Sequence, residues 1–143
     1  MENNDNLSQH FSLHEMLASQ TATRTGITEQ FSPGADIIES LKYLCNNLLE
    51  EVRVLNNNQP IHISSGYRCP RLNSTVGGAS NSQHMLGQAA DIDFGSVAAN
   101  QAFFEKIKNS VLVFDQLLNE YNFAWVHVSI KQNNNRKQVI NIT

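Results

Sequence analysis

Apolar positions recur with two different spacings along the chain, and each spacing predicts a different element. A helical repeat predicts one long amphipathic helix over residues 32–56, with Ser32 as its cap and Pro33 in its first turn. A second helical repeat covers residues 96–111. Alternation of apolar and polar residues predicts strands in "PIHISSGYR", "AADIDF", "VFDQLLNEYNFAWVHVSIK" and "KQVINIT". The third of these segments reads as two strands joined by a turn near Tyr121-Asn122.

Shorter signals predict the remaining elements. Ser12, followed three residues later by Glu15, forms a capping box and predicts a short helix from Leu13 to about Ser19. Residues 19–28 are polar and predict a loop, and a second short helix is expected over residues 70–76. Because the helices come first and the strands share one sheet, we expect an α+β fold. It has a mainly antiparallel central sheet with the N-terminal helices packed on one side.

Length and composition narrow the class of protein. The 143 residues fit one domain, 1–143, in which the polar residues 1–10 are expected to be flexible. Hydrophobic residues make up 41% of the chain, which argues against a disordered protein. No apolar run approaches the roughly 20 residues of a membrane span. The net charge of −3 gives no reason to expect nucleic acid. We expect a monomer that neither binds nucleic acid nor inserts into a membrane.

The two cysteines form neither a disulfide framework nor a zinc-finger pattern. Cys45 lies on the apolar face of the predicted long helix, where it is expected to act as a small buried hydrophobic residue. Cys69 lies in a predicted loop, and nothing resembles a CxxC metal site. Any metal chemistry therefore has to come from other residue types.

Candidate metal ligands occur in two short segments. "SQHMLGQAAD" contains His84 and Asp91, and "WVHVSI" contains His127. Two histidines and one carboxylate make the open set of ligands that a catalytic zinc uses. Each residue alone also has an ordinary explanation, as a surface loop histidine, a turn-forming aspartate and a buried histidine with structural partners. The three residues together are what favours a metal site.

The neighbours of Asp91 support a shared site. Gly87, Ala89 and Ala90 have almost no side chain, so the backbone that leads to Asp91 can pack closely. Asp93 shares a strand face with Asp91 by alternation, and it is assigned a supporting or structural role.

Two segments of the chain closely resemble the peptidase M15 family of zinc D-Ala-D-Ala carboxypeptidases and related peptidoglycan peptidases. They are "SGYRCPRLNSTVGGASNSQHMLGQAADIDF" and "FDQLLNEYNFAWVHVS". The family pattern Ser-x-His-x-x-Gly-x-Ala-x-Asp is matched by residues 82–91, and Trp-x-His-x-Ser by residues 125–129. "FSLHEMLASQTATRTGI" and the long helix look like the front half of small, single-domain, often phage-encoded members. The resemblance therefore covers nearly the whole chain.

The resemblance implies a role for several residues. His84, Asp91 and His127 would be the ligands of Zn²⁺. Arg68, in the Gly-Tyr-Arg motif of the family, would contact a carboxylate or carbonyl oxygen of the substrate, and the alternative is a structural arginine paired with an acid. Ser82 would hydrogen-bond near the metal or the substrate, or else stabilise its own loop.

The general base is where the chain departs from the family. Several members place an acid three residues before the last histidine ligand, where this chain has Ala124. The nearest acids upstream are Glu120 and Asp115. A similar stretch of the hedgehog signalling domain, a fold relative, has a glutamate beside its zinc at nearly this distance from the histidine. Glu120, beside the turn of the predicted hairpin, is therefore the expected base, and an exposed turn glutamate is its alternative. Asp115 is expected to hold the start of the hairpin or the free N–H of a histidine ligand.

The implied activity is that of a zinc-dependent peptidase that hydrolyses peptide stems of bacterial peptidoglycan with metal-activated water. Both carboxypeptidases and endopeptidases occur in the family, and the sequence allows either. Glu120 and Arg68 would be the catalytic residues, and Arg68 and Ser82 would bind substrate.

Other functions stay open at this stage. Ala124 supports a non-catalytic zinc module of the same fold that binds cell wall or belongs to a phage particle. A third hypothesis, an α+β domain without metal, leaves both motifs unexplained. The first residues show no signal peptide, so we expect cytoplasmic synthesis with phage-related release to the cell wall.

Overall fold

A computed structural model of the protein describes residues 5–142. The predicted flexibility of residues 1–4 and the last residue of the predicted closing strand therefore lie outside the described residues. The helices are α1 (Leu13–Leu17), α2 (Gln20–Thr25), α3 (Ala35–Leu44), α4 (Glu50–Leu55), α5 (Pro70–Thr75) and α6 (Val97–Lys108), with 3-10 helices at Thr28–Phe31 and Gln83–Leu86. The strands are β1 (His62–Ser65), β2 (Ala89–Asp93), β3 (Gln116–Glu120), β4 (Trp125–Ser129) and β5 (Gln138–Asn141).

Local capping explains how the first two helices begin and end. The predicted capping box is confirmed, since the Glu15 N–H donates to the Ser12 hydroxyl and the Glu15 carboxylate accepts from the Ser12 N–H. The predicted loop over residues 19–28 is wrong, because α2 forms there. The Ser19 hydroxyl caps its first turn, and Gly26, with φ of 73°, ends it in the left-handed conformation that glycine adopts without strain.

The predicted long helix is present but begins at Ala35. The prediction that Ser32 caps it is wrong, because Ser32 ends the preceding 3-10 helix and its N–H donates to the Glu29 carbonyl. From α3 the chain passes through a π-helical turn, Cys45–Leu49, directly into α4. The buried side chains of this helix are those of the predicted stripe: Leu41, Leu44, Cys45, Leu48, Leu49 and Val52. Burial raises the pKa of the Cys45 thiol, as expected of a residue in an apolar core.

The five strands form one sheet in the order β1-β2-β4-β3-β5. All neighbouring pairs are antiparallel except β3 and β5, which are parallel, so the predicted α+β fold with a mainly antiparallel sheet is confirmed. One face of the sheet joins the buried side of the long helix in a single hydrophobic cluster through Ile63, Ala90, Ile92, Leu117, Val126 and Val128. The alternate positions point to the other face, where polar side chains line a cleft.

The segment that precedes α1 packs on the long helix. Leu7 and Phe11 are buried in the core. His10 Nδ1 lies 2.6 Å from Glu50 Oε1, and the Ser8 hydroxyl donates to the other oxygen of that carboxylate. Ser8 and His10, which belong to the segment expected to be flexible, are thus in contact with α4. No helix within residues 5–142 combines the length and apolar character that a membrane span requires.

An ion pair connects the segment that precedes β5 to the start of β3. Asp115 is fully buried, and its carboxylate accepts hydrogen bonds from Arg136 Nε at 3.0 Å and Nη2 at 2.7 Å. The hydrogen bonds from the Arg136 side chain lower the pKa of Asp115 to about 2. Asp115 thus holds the start of the hairpin, one of the two roles expected of it.

The Asp115 pair makes stability depend on pH. A carboxyl group whose pKa is lower in the folded state stabilises the protein above its unfolded pKa and loses that contribution as the pH falls through its folded pKa. We expect the free energy of unfolding to fall by up to about 2 kcal/mol between roughly pH 5 and pH 2 through this group. Urea unfolding of the wild type and of Asp115→Asn at several pH values measures this loss of unfolding free energy. Identical pH dependence in the two proteins would contradict the assignment.

Candidate metal centre

Three residues that are distant in sequence meet at the floor of the cleft. His84 lies in the 3-10 helix that precedes β2, and Asp91 is the middle residue of β2. His127 is the middle residue of β4 and stands directly opposite Asp91 in the antiparallel register. Paired residues of antiparallel strands project from the same face, so the sheet itself brings Asp91 and His127 together.

Their polar atoms converge on one small volume. His84 Nε2 lies 3.3 Å from Asp91 Oδ1, and His127 Nδ1 lies 3.0 Å from the same oxygen. One ligand atom from each residue lies within 4.8 Å of the other two. All three residues are buried. Two imidazole nitrogens and one carboxylate oxygen are donors that zinc accepts, and the cluster fits Zn²⁺ binding.

The backbone sets the orientation of His84. Its Nδ1 lies 2.7 Å from the Gly66 carbonyl oxygen, which can only accept a hydrogen bond. Nδ1 therefore carries a proton, and Nε2 is the ring nitrogen that faces Asp91 and is available to a metal. A side chain at Gly66 would meet the Met16 carbonyl at 2.5 Å, so glycine is needed where this contact forms.

The small residues before Asp91 have the close contacts expected of them. Gly87 ends the 3-10 helix with φ of 71°, and a Cβ there would lie 3.0 Å from the Ile37 carbonyl of α3. Ala89 and Ala90 are fully buried. The short link between His84 and Asp91 is thus packed against the long helix, which fixes the distance between the two side chains.

The carboxylate of Asp91 is held in its charged form. Burial by itself raises the pKa of Asp91, but the facing rings of His84 and His127 outweigh burial and hold the pKa below its usual range. A charged carboxylate between two imidazoles is the state required of a metal ligand.

Arg68 lies beside this cluster. Its Nη2 is 3.7 Å from Asp91 Oδ2, its Nη1 donates to Asn73 Oδ1 at 2.9 Å, and its Nε donates to Ser65 Oγ at 3.3 Å. Both explanations considered for this arginine therefore have a basis, since it pairs with an acid and also lines the cleft. Gly78 leaves room for the guanidinium group, because a Cβ at this position would lie 2.6 Å from Arg68 Nη1.

Glu120 is the last residue of β3 and lies over the cluster. Its Oε1 is 3.9 Å from His127 Nδ1, and its side chain is 28% exposed. The hairpin that carries it has the predicted turn, in which Tyr121, Asn122 and Phe123 all have positive φ. Three consecutive left-handed residues are costly without glycine, so side-chain contacts must hold this turn.

Two buried asparagines supply those contacts. Asn119 Oδ1 accepts from the Phe123 N–H at 2.7 Å. Asn100 Nδ2 donates to the carbonyls of Phe123 and Ala124 at 2.8 and 3.1 Å. Sequence reasoning missed Asn100, although it stands on the buried stripe of α6 with Phe104 at the next turn. A polar residue on an apolar helical stripe is the signal that could have found it.

Three further residues considered from sequence have mainly structural contacts. The Ser82 hydroxyl accepts from the His84 N–H at 3.1 Å while the residue also lines the cleft. Asp93 Oδ1 accepts from the Gly95 N–H and from Asn100 Nδ2, so it ties β2 to α6. Asp115 pairs with Arg136 at the start of the hairpin.

The cleft around the cluster has a volume of about 970 Å³. This volume is at the upper end of the range for small-molecule sites. Its walls include the loop between α1 and α2, the Gly77-Gly78 turn after α5, and the rings of Tyr121 and Trp125, whose centroids are 5.0 Å apart.

Comparison with known proteins agrees with the site. A family model described as Peptidase M15 matches residues 9–129. A zinc D-Ala-D-Ala carboxypeptidase from Streptomyces albus G is 48% identical over 48 residues. That match covers 34% of this chain and 19% of the relative, so this chain matches about a fifth of the length of that protein.

Proposed function

The chain belongs to the peptidase M15 family, and from this premise we propose that it is a zinc-dependent peptidase that hydrolyses the peptide stems of bacterial peptidoglycan. The observation that carries the proposal is the meeting of His84 Nε2, Asp91 Oδ1 and His127 Nδ1 beneath the Glu120 carboxylate. These three atoms would hold the metal. The Streptomyces relative supports both the metal and the class of substrate.

The residues of the cleft suit hydrolysis. Zinc, when bound, supplies a Lewis acid that lowers the pKa of water and polarises a carbonyl group. Hydrolysis breaks the peptide C–N bond, joins the hydroxyl of water to the carbonyl carbon and transfers a proton to the leaving amine. Glu120 accepts a proton from the attacking water and returns it to the amine nitrogen. The distance of 3.9 Å between Glu120 Oε1 and His127 Nδ1, a proposed ligand atom, supports this role.

Arg68 donates a hydrogen bond to the substrate carbonyl oxygen as negative charge develops on it. We expect Arg68→Lys to lower kcat/KM by about 10²–10³-fold, because an ammonium group cannot reproduce the planar set of donors. Zinc content should stay at the wild-type level, since Arg68 is not a proposed ligand. Arg71→Lys is the matched control, because Arg71 is exposed and pairs with Glu29. A variant of Arg68 with wild-type kcat/KM would show that the residue is structural.

A non-catalytic zinc module is the second candidate, because Ala124 occupies the position of the acid found in several family members. In the structure Ala124 belongs to the hairpin turn, and its carbonyl accepts from Asn100. Glu120, four residues earlier, brings a carboxylate to the cluster from the other strand of the hairpin. This geometry favours the enzyme over the binding module.

One experiment separates the two candidates. Purified protein is analysed for bound zinc and then incubated with intact peptidoglycan and with a peptide that ends in D-Ala-D-Ala. We expect one zinc ion per chain and the release of new amino groups, which stop when a chelator removes the metal. Bound zinc without any new amino group from either substrate would favour the binding module.

A further inference from the structure

We propose that this protein is an endopeptidase, whose cleft binds residues of the stem peptide on both sides of the bond that is cut. The inference rests on the proposed function and adds the type of bond. The products of the same hydrolysis would be two peptide fragments, one with a new carboxyl terminus and one with a new amino terminus. A carboxypeptidase would release a single terminal residue instead.

The position of the metal cluster within the sheet carries the first step. The floor of the cleft is one face of four neighbouring strands, β1, β2, β4 and β3. Asp91 and His127 lie on the two inner strands, β2 and β4. The floor continues outward to His62 on β1 and to Gln116 on β3. The cluster is therefore in the middle of the cleft, with floor on either side of it.

The width of this floor suits an extended peptide. Neighbouring strands are about 4.8 Å apart, so the two outer strands are roughly 14 Å apart. An extended chain covers about 3.3 Å per residue, and roughly four residues cross the floor. Beyond β1 the wall is the loop between α1 and α2, and beyond β3 it includes Arg136. A peptide centred on the metal cluster thus has contacts on both sides.

The charges of the cleft carry the second step. A carboxypeptidase needs a cation placed for the terminal carboxylate of its substrate. Among the described residues that line the cleft, the arginines are Arg68 and Arg136, and no lysine is present. Arg136 is bound by Asp115 through two side-chain hydrogen bonds. Arg68 Nη2 lies 3.7 Å from Asp91 Oδ2, so its guanidinium is beside the cluster, where it would meet the reacting carbonyl rather than a terminal carboxylate.

The exposure of the outer positions agrees with an open cleft. His62 is exposed on β1, and Gln116 is half-buried on β3. Both residues line the cleft and lie outside the metal cluster. Polar side chains at both outer strands can hydrogen-bond to the backbone of a bound peptide, which a closed apolar end would not allow.

Matched substrates test the inference. The zinc-loaded protein is incubated with two stem peptides of identical sequence that end in D-Ala-D-Ala, one with a free carboxyl terminus and one with a terminal amide, and with intact peptidoglycan. Mass spectrometry identifies the products. We expect cleavage at the same internal bond in both peptides, with kcat/KM values within about 3-fold of each other.

Two other results would contradict the inference. Release of a single terminal residue from the free acid, with the amide resistant, would overturn the endopeptidase assignment and leave the proposed peptidase in place. Cleavage of none of the three substrates by zinc-loaded protein would overturn both.

A pair of variants tests the two sides of the cleft separately. His62→Trp and Gln116→Trp each obstruct one side, and each should lower kcat/KM for the amidated peptide at least about 10-fold. Zinc content should not change in either variant. Val111→Trp is the control, because Val111 is 94% exposed and does not line the cleft. Full activity of either obstructed variant would show that the corresponding side is not used.

Discussion

Replacement of His127 by alanine is expected to lower the affinity for zinc by more than about 100-fold, since even residues that merely support a ligand contribute up to that factor. The variant loses one of the three proposed ligands, and its Asp91 loses the neighbour at 3.0 Å. Competition with a chromogenic chelator measures the affinity. Peptidase activity should fall with the bound metal.

His62→Ala is the matched control for this prediction. His62 lines the same cleft but is exposed and lies outside the metal cluster. It should keep wild-type zinc affinity, and circular dichroism should show that both variants are folded. Unchanged zinc affinity in folded His127→Ala would show that His127 is not a ligand.

Replacement of Glu120 by glutamine is expected to lower kcat by about 10²–10⁴-fold, which is the usual contribution of a general base. Glutamine keeps the size and the hydrogen-bonding shape of glutamate but cannot accept the proton of the attacking water. Zinc content should remain at the wild-type level, because Glu120 is not among the three converging ligands. Steady-state kinetics with a stem peptide and metal analysis of the same preparation give both quantities.

Two further variants sharpen this result. Glu105→Gln removes an exposed acid of α6 that lies 3.9 Å from Lys108, and it should keep full activity. Asp115→Asn removes the other acid considered from sequence, and it should affect stability rather than kcat at neutral pH, because Asp115 is bound by Arg136. Wild-type kcat in Glu120→Gln would mean that another group acts as the base.

Hydrophobic spacing predicted most of the fold because burial imposes it. The stripe from Leu41 to Val52 is apolar since that side of the helix meets the sheet, and the alternation in β2 and β4 reflects a sheet with one apolar face. The hydrophobic pattern did not predict α2, because this helix has few apolar residues. The only signals for this helix in the sequence are its cap residues, Ser19 and Gly26. Capping residues alone do not predict so short a helix, because its stability depends on tertiary contacts.

The site was predictable in its residues but not in its geometry. The histidines and the aspartate stand out by type and by resemblance to a family, whereas the choice of His84 Nε2 depends on a hydrogen bond to Gly66 across the fold. The distance from Glu120 to His127 depends on a left-handed turn held by Asn100, which no local pattern around the turn specifies. Positions of this kind arise from contacts between segments that are distant in sequence.

Zinc-edge anomalous diffraction from crystals of the zinc-loaded protein tests the central claim most directly. The account predicts one strong anomalous peak bounded by His84 Nε2, an Asp91 carboxylate oxygen and His127 Nδ1, on the side of the cluster that Glu120 faces. A peak at another position, or none at this cluster in zinc-saturated crystals, would contradict the assignment of these three residues as the metal ligands.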